Sequence, residues 1–210
     1  MTDVTNRERI SRRQVDKFGE RRAQLADAAL QTLAELGYAR TSLREIAQNS
    51  QFSHGVLHYY FSDKQDLLIH CVRQYEAACV TRYDEIVATA GSAAELKKEF
   101  SAAMAQTLRT DAPLHRLWYD LRNQSLFEES FRADVLEIDQ RREEMIWRVV
   151  SRYAEFAGIT MSVSPGVAYA MLDGLFQRAL LHQLAGNEAA ADGLAANVAG
   201  ILETLAVAGS

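Results

Sequence analysis

Apolar residues recur at intervals of three and four along almost the whole of this chain, and no stretch alternates apolar with polar residues as a half-buried strand does. That period confines the fold to packed helices. Only 2 Pro and 11 Gly occur in 210 residues, too few punctuators for a sandwich or a barrel. Ala, Leu, Arg and Glu, all good helix formers, are abundant. The predicted fold class is therefore all-α. Hydrophobic residues make up 48% and charged residues 24%, so the chain can bury a core and disorder as its main state is excluded.

Other classes fall away on simple grounds. Residues 1–22 are charged and lack the apolar centre of a signal peptide. No run approaches the roughly 20 apolar residues of a membrane span. Cys71 and Cys79 stand on one predicted helix, about 12 Å apart along its axis, too far for a bridge. A cytoplasmic protein with reduced thiols and no membrane partner is expected.

The periodicity divides the chain into elements. Residues 1–16 are polar without a sustained period and read as an arm. From Lys17 a helix is marked by Phe18, Leu25, Ala28, Ala29, Leu33 and Leu36, and Gly37 is its natural stop. Thr41 or Ser42 caps a short helix from Leu43 to Ser50, with Glu45 placed for a capping box on Ser42. The pattern breaks at Gln51 and Phe52. Ser53 caps a third helix, His54 to Tyr60, and Ser62 or Asp63 caps a fourth that runs to Ala90. After Gly91 and Ser92, helices are expected at 93–110, 113–126 and 132–157, punctuated by Pro113 and Gly158. Ser164 and Pro165 open a helix to Ala185. A last Ala-rich helix runs to Ala208.

Charge separates the two ends. Residues 1–73 hold 11 Lys/Arg against 9 Asp/Glu, whereas residues 74–210 hold 12 against 19. The net charge of −5 argues against a protein that coats nucleic acid generally. The asymmetry fits a nucleic-acid-binding head on an acidic body. Within residues 1–22 the count is 7 basic to 4 acidic, so Arg7, Arg9, Arg12 and Arg13 are candidates to track a minor groove or phosphates.

The segment 41–68 carries the most information. A short helix, a tight turn and a second short helix make a helix-turn-helix. Leu43, Ile46 and Ala47 form the inner face of the first helix, and Phe52 plugs the turn. Val56 or Leu57, then Tyr60 and Phe61, lock the second helix in place. That leaves Ser53, His54, Gly55, His58 and Tyr59 facing outward, slim enough for a major groove. Ser42 and Ser53 place helix N-termini where phosphates can accept from backbone N–H groups. His54 and His58 can form one edge of a metal site, but no carboxylate or thiolate stands beside them, so no metal or cofactor is expected.

In order and without a gap, Thr41, Ser42, Ile46, Ala47, Ser53, Gly55, Leu57, Tyr60, Phe61, Lys64, Leu67 and Leu68 match a family pattern. Over residues 20–70 the chain resembles the TetR family of bacterial transcriptional regulators. The resemblance implies an all-α protein with a three-helix helix-turn-helix head on a body of about six helices, and a four-helix-bundle dimer interface. It implies that Arg44 reaches a base or phosphate, and that His54, Val56, His58 and Tyr59 occupy the recognition positions. It further implies that Gly55 permits close approach to the DNA backbone and that Lys64 holds a phosphate. Gln51 departs from the family's usual turn glycine; a left-handed conformation there would cost about 1–2 kcal/mol. His54 replaces a common lysine, and His58 and Tyr59 stand in exchanged order.

The resemblance also implies an effector cavity in the body. Trp118, Phe127 and Phe176 are its candidate walls, and Tyr119, Arg122, Asn123 and Gln177 its polar groups. The Arg122 fork suits a carboxylate ligand, or pairs with Asp120, Glu128 or Glu144. The segment Met171-Leu172-Asp173-Gly174-Leu175-Phe176 is similar to that of regulators related to choline–betaine control. Val167, Ala168, Met171, Leu175, Ala179, Val198, Ile201, Leu202 and Leu205 mark the last two helices as the dimer face. The expected division is a DNA-binding domain at 1–67 and a ligand-binding and dimerisation domain at 68–210. The expected partners are a palindromic double-stranded operator, a second copy of the chain and a small-molecule effector. The competing reading is a sensor or interaction module whose head is silent towards DNA. An enzyme is not expected, because no nucleophile–base pair, metal set or phosphate loop is present.

Overall fold

The computed structural model describes the backbone of residues 2–205 and the side chains of residues 16–204. Among the described residues every regular element is helical: α1 (Thr2–Leu36), α2 (Leu43–Gln48), α3 (His54–Tyr60), α4 (Lys64–Cys79), α5 (Asp84–Thr89), α6 (Ala93–Gln124), a single 3-10 turn (Glu129–Phe131), α7 (Arg132–Ala157), α8 (Pro165–Leu184) and α9 (Ala190–Leu205). They form two units, Met1–Tyr75 and Glu76–Ser210, and the division falls inside α4.

In the first unit the chain follows its caps. Gly37 takes a left-handed φ of 79° and closes α1, its N–H donating to the Leu33 carbonyl at 2.8 Å. Ser42 and Glu45 form the reciprocal capping box of α2, and Ser53 caps α3. Asp63 accepts from the Asp66 N–H at 2.8 Å and starts α4. The inward faces, Leu25, Ala29 and Leu33 with Ile46, Leu57, Phe61, Leu67 and Leu68, are completely or almost completely buried. Each large member contributes about 1.5–3 kcal/mol to this small core.

In the second unit α6 packs on α7, α8 and α9, and α8 packs on α9. Three expected boundaries are corrected. The arm at 1–16 is not separate from α1, because the helix begins at Thr2. No Gly or Pro interrupts residues 2–18, and extending an existing helix is far easier than starting one. The side chains of Arg7, Arg9, Arg12 and Arg13 lie outside the described residues.

The helix expected to reach Ala90 stops at Cys79. Tyr83 is buried against Phe100, with ring centroids 4.9 Å apart, and Arg148 takes the Val80 carbonyl at 2.6 Å. These long-range contacts replace helical bonds at the break. Conversely, Pro113 does not divide α6, which runs unbroken through it. Buried Leu108, Leu117, Trp118 and Leu121 hold both halves in one packed line, against a proline cost of about 3 kcal/mol.

Part of the expected dimer stripe is used inside the subunit. Ala168, Ala179, Val198 and Leu202 are buried within the described chain, against its own helices. Exposed apolar surface on α8 comes instead from Val167, Leu181 and Leu184. The side chain of Leu205 lies outside the described residues.

Candidate functional site

In the head, the caps set which face of α3 is displayed. The Val56 N–H donates to Ser53 Oγ at 3.3 Å, fixing the start of the helix. From that start Leu57 and Phe61 point into the core, while His54, Gly55, His58 and Tyr59 are exposed and Val56 is half-exposed. Tyr59 is 73% exposed, too open to be a core residue. Tyr60 is half-buried and packs on Phe18, with centroids 4.7 Å apart. The rings of His54 and His58 meet edge to face at 4.4 Å. A Cβ added to Gly55 would meet nothing of the protein within 4 Å. The protein's own packing therefore does not require glycine there.

Arg44 is exposed on α2, two residues past the Ser42 cap. Lys64, expected at a phosphate, donates to the Tyr38 carbonyl at 2.8 Å and lies 3.8 Å over the Tyr38 ring. It ties α4 to the connection between α1 and α2. Among the described residues no non-glycine has a positive φ, so Gln51 is not in the left-handed region and the feared strain is absent. Phe52 is half-buried in the turn beneath the Arg21 guanidinium, 4.9 Å from its centroid. Arg22 stacks 4.9 Å over Phe61 and pairs with Asp66, which also accepts from the Ser62 N–H at 3.1 Å. The sequence pattern did not reveal this clamp, because its partners stand 44 positions apart.

Two hollows of the body share Tyr119 as a wall. The larger, about 530 Å³, is an open groove between α6 and α8, lined by Tyr119, Asn123 and Gln177 with Leu181 and Leu184. The smaller, about 40 Å³, has room for roughly three waters. Tyr83, Tyr119, Tyr169, His115 and Phe176 line it, together with Arg142, Asp173, Met104 and Met145. The buried polar side chains of Tyr83, His115, Arg142 and Tyr169 converge on the smaller one.

Its electrostatics follow from burial. Tyr119 donates to Asp173 Oδ1 at 2.8 Å, and Tyr169 donates to Asp139 Oδ1 at 2.9 Å. Burial first, and then the neighbouring Asp173 carboxylate, push both hydroxyls up, so they remain protonated donors. Burial, then the Arg142 and Arg82 charges, hold His115 well below the usual histidine range, and it is neutral. Burial also works against the charge of Arg142, but Glu76 and its hydrogen bonds outweigh that and raise its pKa.

Several expected cavity residues stand elsewhere. Phe127 is 86% exposed in the turn after α6 and lines neither hollow. The bonded turn that follows α6 carries it away from the core. Trp118 is fully buried but lines neither hollow; its ring supports Arg142, whose guanidinium lies 4.6 Å away. Arg122 pairs with Asp173 at 2.6 Å and with Asp139 at 3.4 Å, not with Asp120, Glu128 or Glu144. Its fork is filled by the protein's own carboxylates, which removes the basis for a carboxylate ligand there. Of the expected set, the smaller hollow brings together Tyr119 and Phe176, while Asn123 and Gln177 line the larger groove. Tyr83, His115, Arg142, Tyr169 and Asp173 were missed: His115 shares a helix face with Tyr119, and Tyr169 and Asp173 share one with Phe176, so spacing offered a signal for these three, whereas Tyr83 lies in a turn and Arg142 on α7.

Comparison with known proteins decides the family. Residues 25–71 match the model described as bacterial regulatory proteins, tetR family. The HTH-type transcriptional regulator BetI of Burkholderia mallei is 31% identical over 170 residues, covering 77% of this chain and 82% of that protein. The chain belongs to the TetR family. It is a DNA-binding transcriptional regulator, not an enzyme, and acts on operator DNA as a dimer. The fold agrees. A transcriptional regulator from Pseudomonas aeruginosa PAO1 superposes with a TM-score of 0.72 at 17% identity, over 90% of this chain and 92% of that one. A regulator from Saccharomonospora viridis, solved in complex with choline, superposes with a TM-score of 0.70 at 18% identity, over 88% and 96%. Among the described residues no helix is long and apolar enough to cross a membrane.

Proposed function

We propose that this TetR-family protein is a cytoplasmic repressor released from its operator by a small organic cation of the quaternary ammonium type. Its DNA-binding part is residues 1–67 and its effector-binding and dimerisation part residues 68–210. His54, Gly55, Val56, His58 and Tyr59 enter the major groove. Ser42, Ser53 and Arg44 face phosphates, and Lys64 holds Tyr38. α8 and α9 of two subunits form a four-helix bundle, for which exposed Val167 and Leu181, and the small Gly193, Ala196 and Gly200, supply surface. That pairing sets two recognition helices on a palindrome about one DNA turn apart.

The observation that carries the effector class is the composition of the smaller hollow. Three tyrosines and Phe176 line it, and around it the carboxylates of Glu76, Asp139 and Asp173 outnumber the guanidinium groups of Arg122 and Arg142. Aromatic faces with an excess carboxylate favour a desolvated cation, at up to about 2 kcal/mol per cation–aromatic contact. The choline bound by the Saccharomonospora viridis regulator, and the likeness to BetI, support the same class. Admitting seven heavy atoms requires Met104 and Met145 to move, which unbranched side chains permit.

The test begins with an operator selected from genomic fragments at two salt concentrations. Binding must weaken steeply as salt rises. Choline is then titrated into the complex. Release by choline from the wild type, and its loss in Asp173→Asn, is the expected result. A wild-type complex indifferent to choline and to tetramethylammonium overturns the effector class. Failure to enrich any palindrome favours the module with a silent head.

A further inference from the structure

Glu76 and Arg142 are the only charged residues that are almost wholly buried among the described residues, and they are bonded to each other. Their side chains are 2% and 6% exposed. Arg142 Nε donates to Glu76 Oε2 at 2.8 Å, and Nη2 donates to Oε1. The fork is thus bidentate, which fixes orientation as well as distance. One face of the guanidinium rests on Trp118, and the side chain also borders the smaller hollow. One guanidinium therefore serves both as cavity wall and as counter-ion to the buried carboxylate of α4.

Stability does not account for this arrangement. A buried ion pair commonly contributes no more than apolar residues of the same volume, while breaking one is costly; pairs of this kind are best attested as registers and switches. Trp118 and Ile146 give the guanidinium apolar neighbours, and His115, Tyr169 and Asp173 share the hollow that it borders. At its other end α4 is fastened within the head by Asp66 to Arg22 and by Lys64 to Tyr38. Asp66 and Glu76 lie ten residues apart on one helix, about 15 Å along its axis.

We infer that Glu76 and Arg142 are positioning residues through which occupancy of the cavity sets α4, and with it operator affinity. The inference rests on the effector reading of that cavity. A cation placed beside Arg142 repels it, and the guanidinium relieves this only by shifting. With both carboxylate oxygens engaged, Glu76 cannot follow by rotating alone without losing a bond. The displacement is therefore passed to the helix backbone. A neutral residue in either place fills the volume but transmits nothing.

Glu76→Gln, Glu76→Asp and Arg142→Lys test this in the full-length dimer. Circular dichroism and dimer mass establish folding, and operator binding is measured well below each melting temperature, with and without choline. The expected result has two parts. Operator Kd without choline changes at least threefold in folded Glu76→Gln and Arg142→Lys. The ratio of Kd with and without choline falls towards one, although choline still binds by calorimetry, and Glu76→Asp restores part of it. A purely structural pair would lower the melting temperature but leave both quantities in place. Folded variants with operator Kd within threefold of wild type overturn the inference, as does failure of all three to fold. If wild type ignores choline, the effector reading falls, and the choline-free Kd still decides this one.

Discussion

The head and the body of this regulator are built by different means. In the head, partners that shape the displayed surface stand three or four residues apart: Ser42 with Glu45, Ser53 with Val56, Gly37 with Leu33. In the body, the groups that make the cavity polar are joined across 30 to 66 positions: Tyr169 with Asp139, Tyr119 with Asp173, Arg142 with Glu76. The head displays a surface, whose register local caps set while the core behind Leu57 and Phe61 holds it in place. The body's function is an interior, and an interior exists only once several helices have met.

The sharpest way to strain this contrast is to remove a core residue that lies directly behind the displayed surface. Leu57→Ala should destabilise the protein by about 2–5 kcal/mol in urea unfolding, because Leu57 is fully buried behind α3. A loss below 1 kcal/mol would mean that the caps hold α3 without its core. In the body, buried neutral His115 must take up a proton on unfolding at acid pH. Its lowered pKa makes folding favourable above the ordinary histidine value, about 6.5, and that contribution fades as pH falls below it. His115→Phe should therefore flatten the rise of stability with pH below about 6.5 by up to ~1.4 kcal/mol per pH unit. His70, also lowered by burial and Arg22, leaves a residual slope. Equal slopes in mutant and wild type would remove His115 from the account.

Smaller effects separate surface from scaffold. Tyr59→Ala should weaken operator binding about tenfold, or ~1.4 kcal/mol, and leave stability within about 0.5 kcal/mol. A drop in stability with unchanged operator affinity would make Tyr59 a structural residue. Ser42→Ala removes the capping box of α2 and should cost about 1 kcal/mol in thermal unfolding. Phe127→Ser should have the smallest effect, within about 0.5 kcal/mol, with the effector response intact. Loss of that response would return Phe127 to the cavity.

Legibility followed the same division. The helix-turn-helix, its caps and the buried Leu57 and Phe61 could be read from spacing, and Gly37, Gly158 and Pro165 stand at helix ends as expected. The errors fell where distant contacts overrode local pattern. Arg148 and Tyr83 ended α4 within a continuous helical period, and core packing carried α6 through Pro113. The expected cavity named residues of α6 and α8 by composition, so Phe127 was included and Arg142 was not. An apolar stripe shows that a face is buried, but not against which neighbour.

The sequence by itself determined the helical class, the register of α3 and the places where most helices begin and end. These depend on dihedral preferences and on hydrogen bonds that close within one turn. Only the tertiary structure decided that Arg122 is occupied by Asp173 and Asp139, that Trp118 supports a guanidinium, and that three tyrosines surround one small space. Charge pairing and cavity shape depend on distances between helices, and a helical period records which way a side chain faces but not what it meets there.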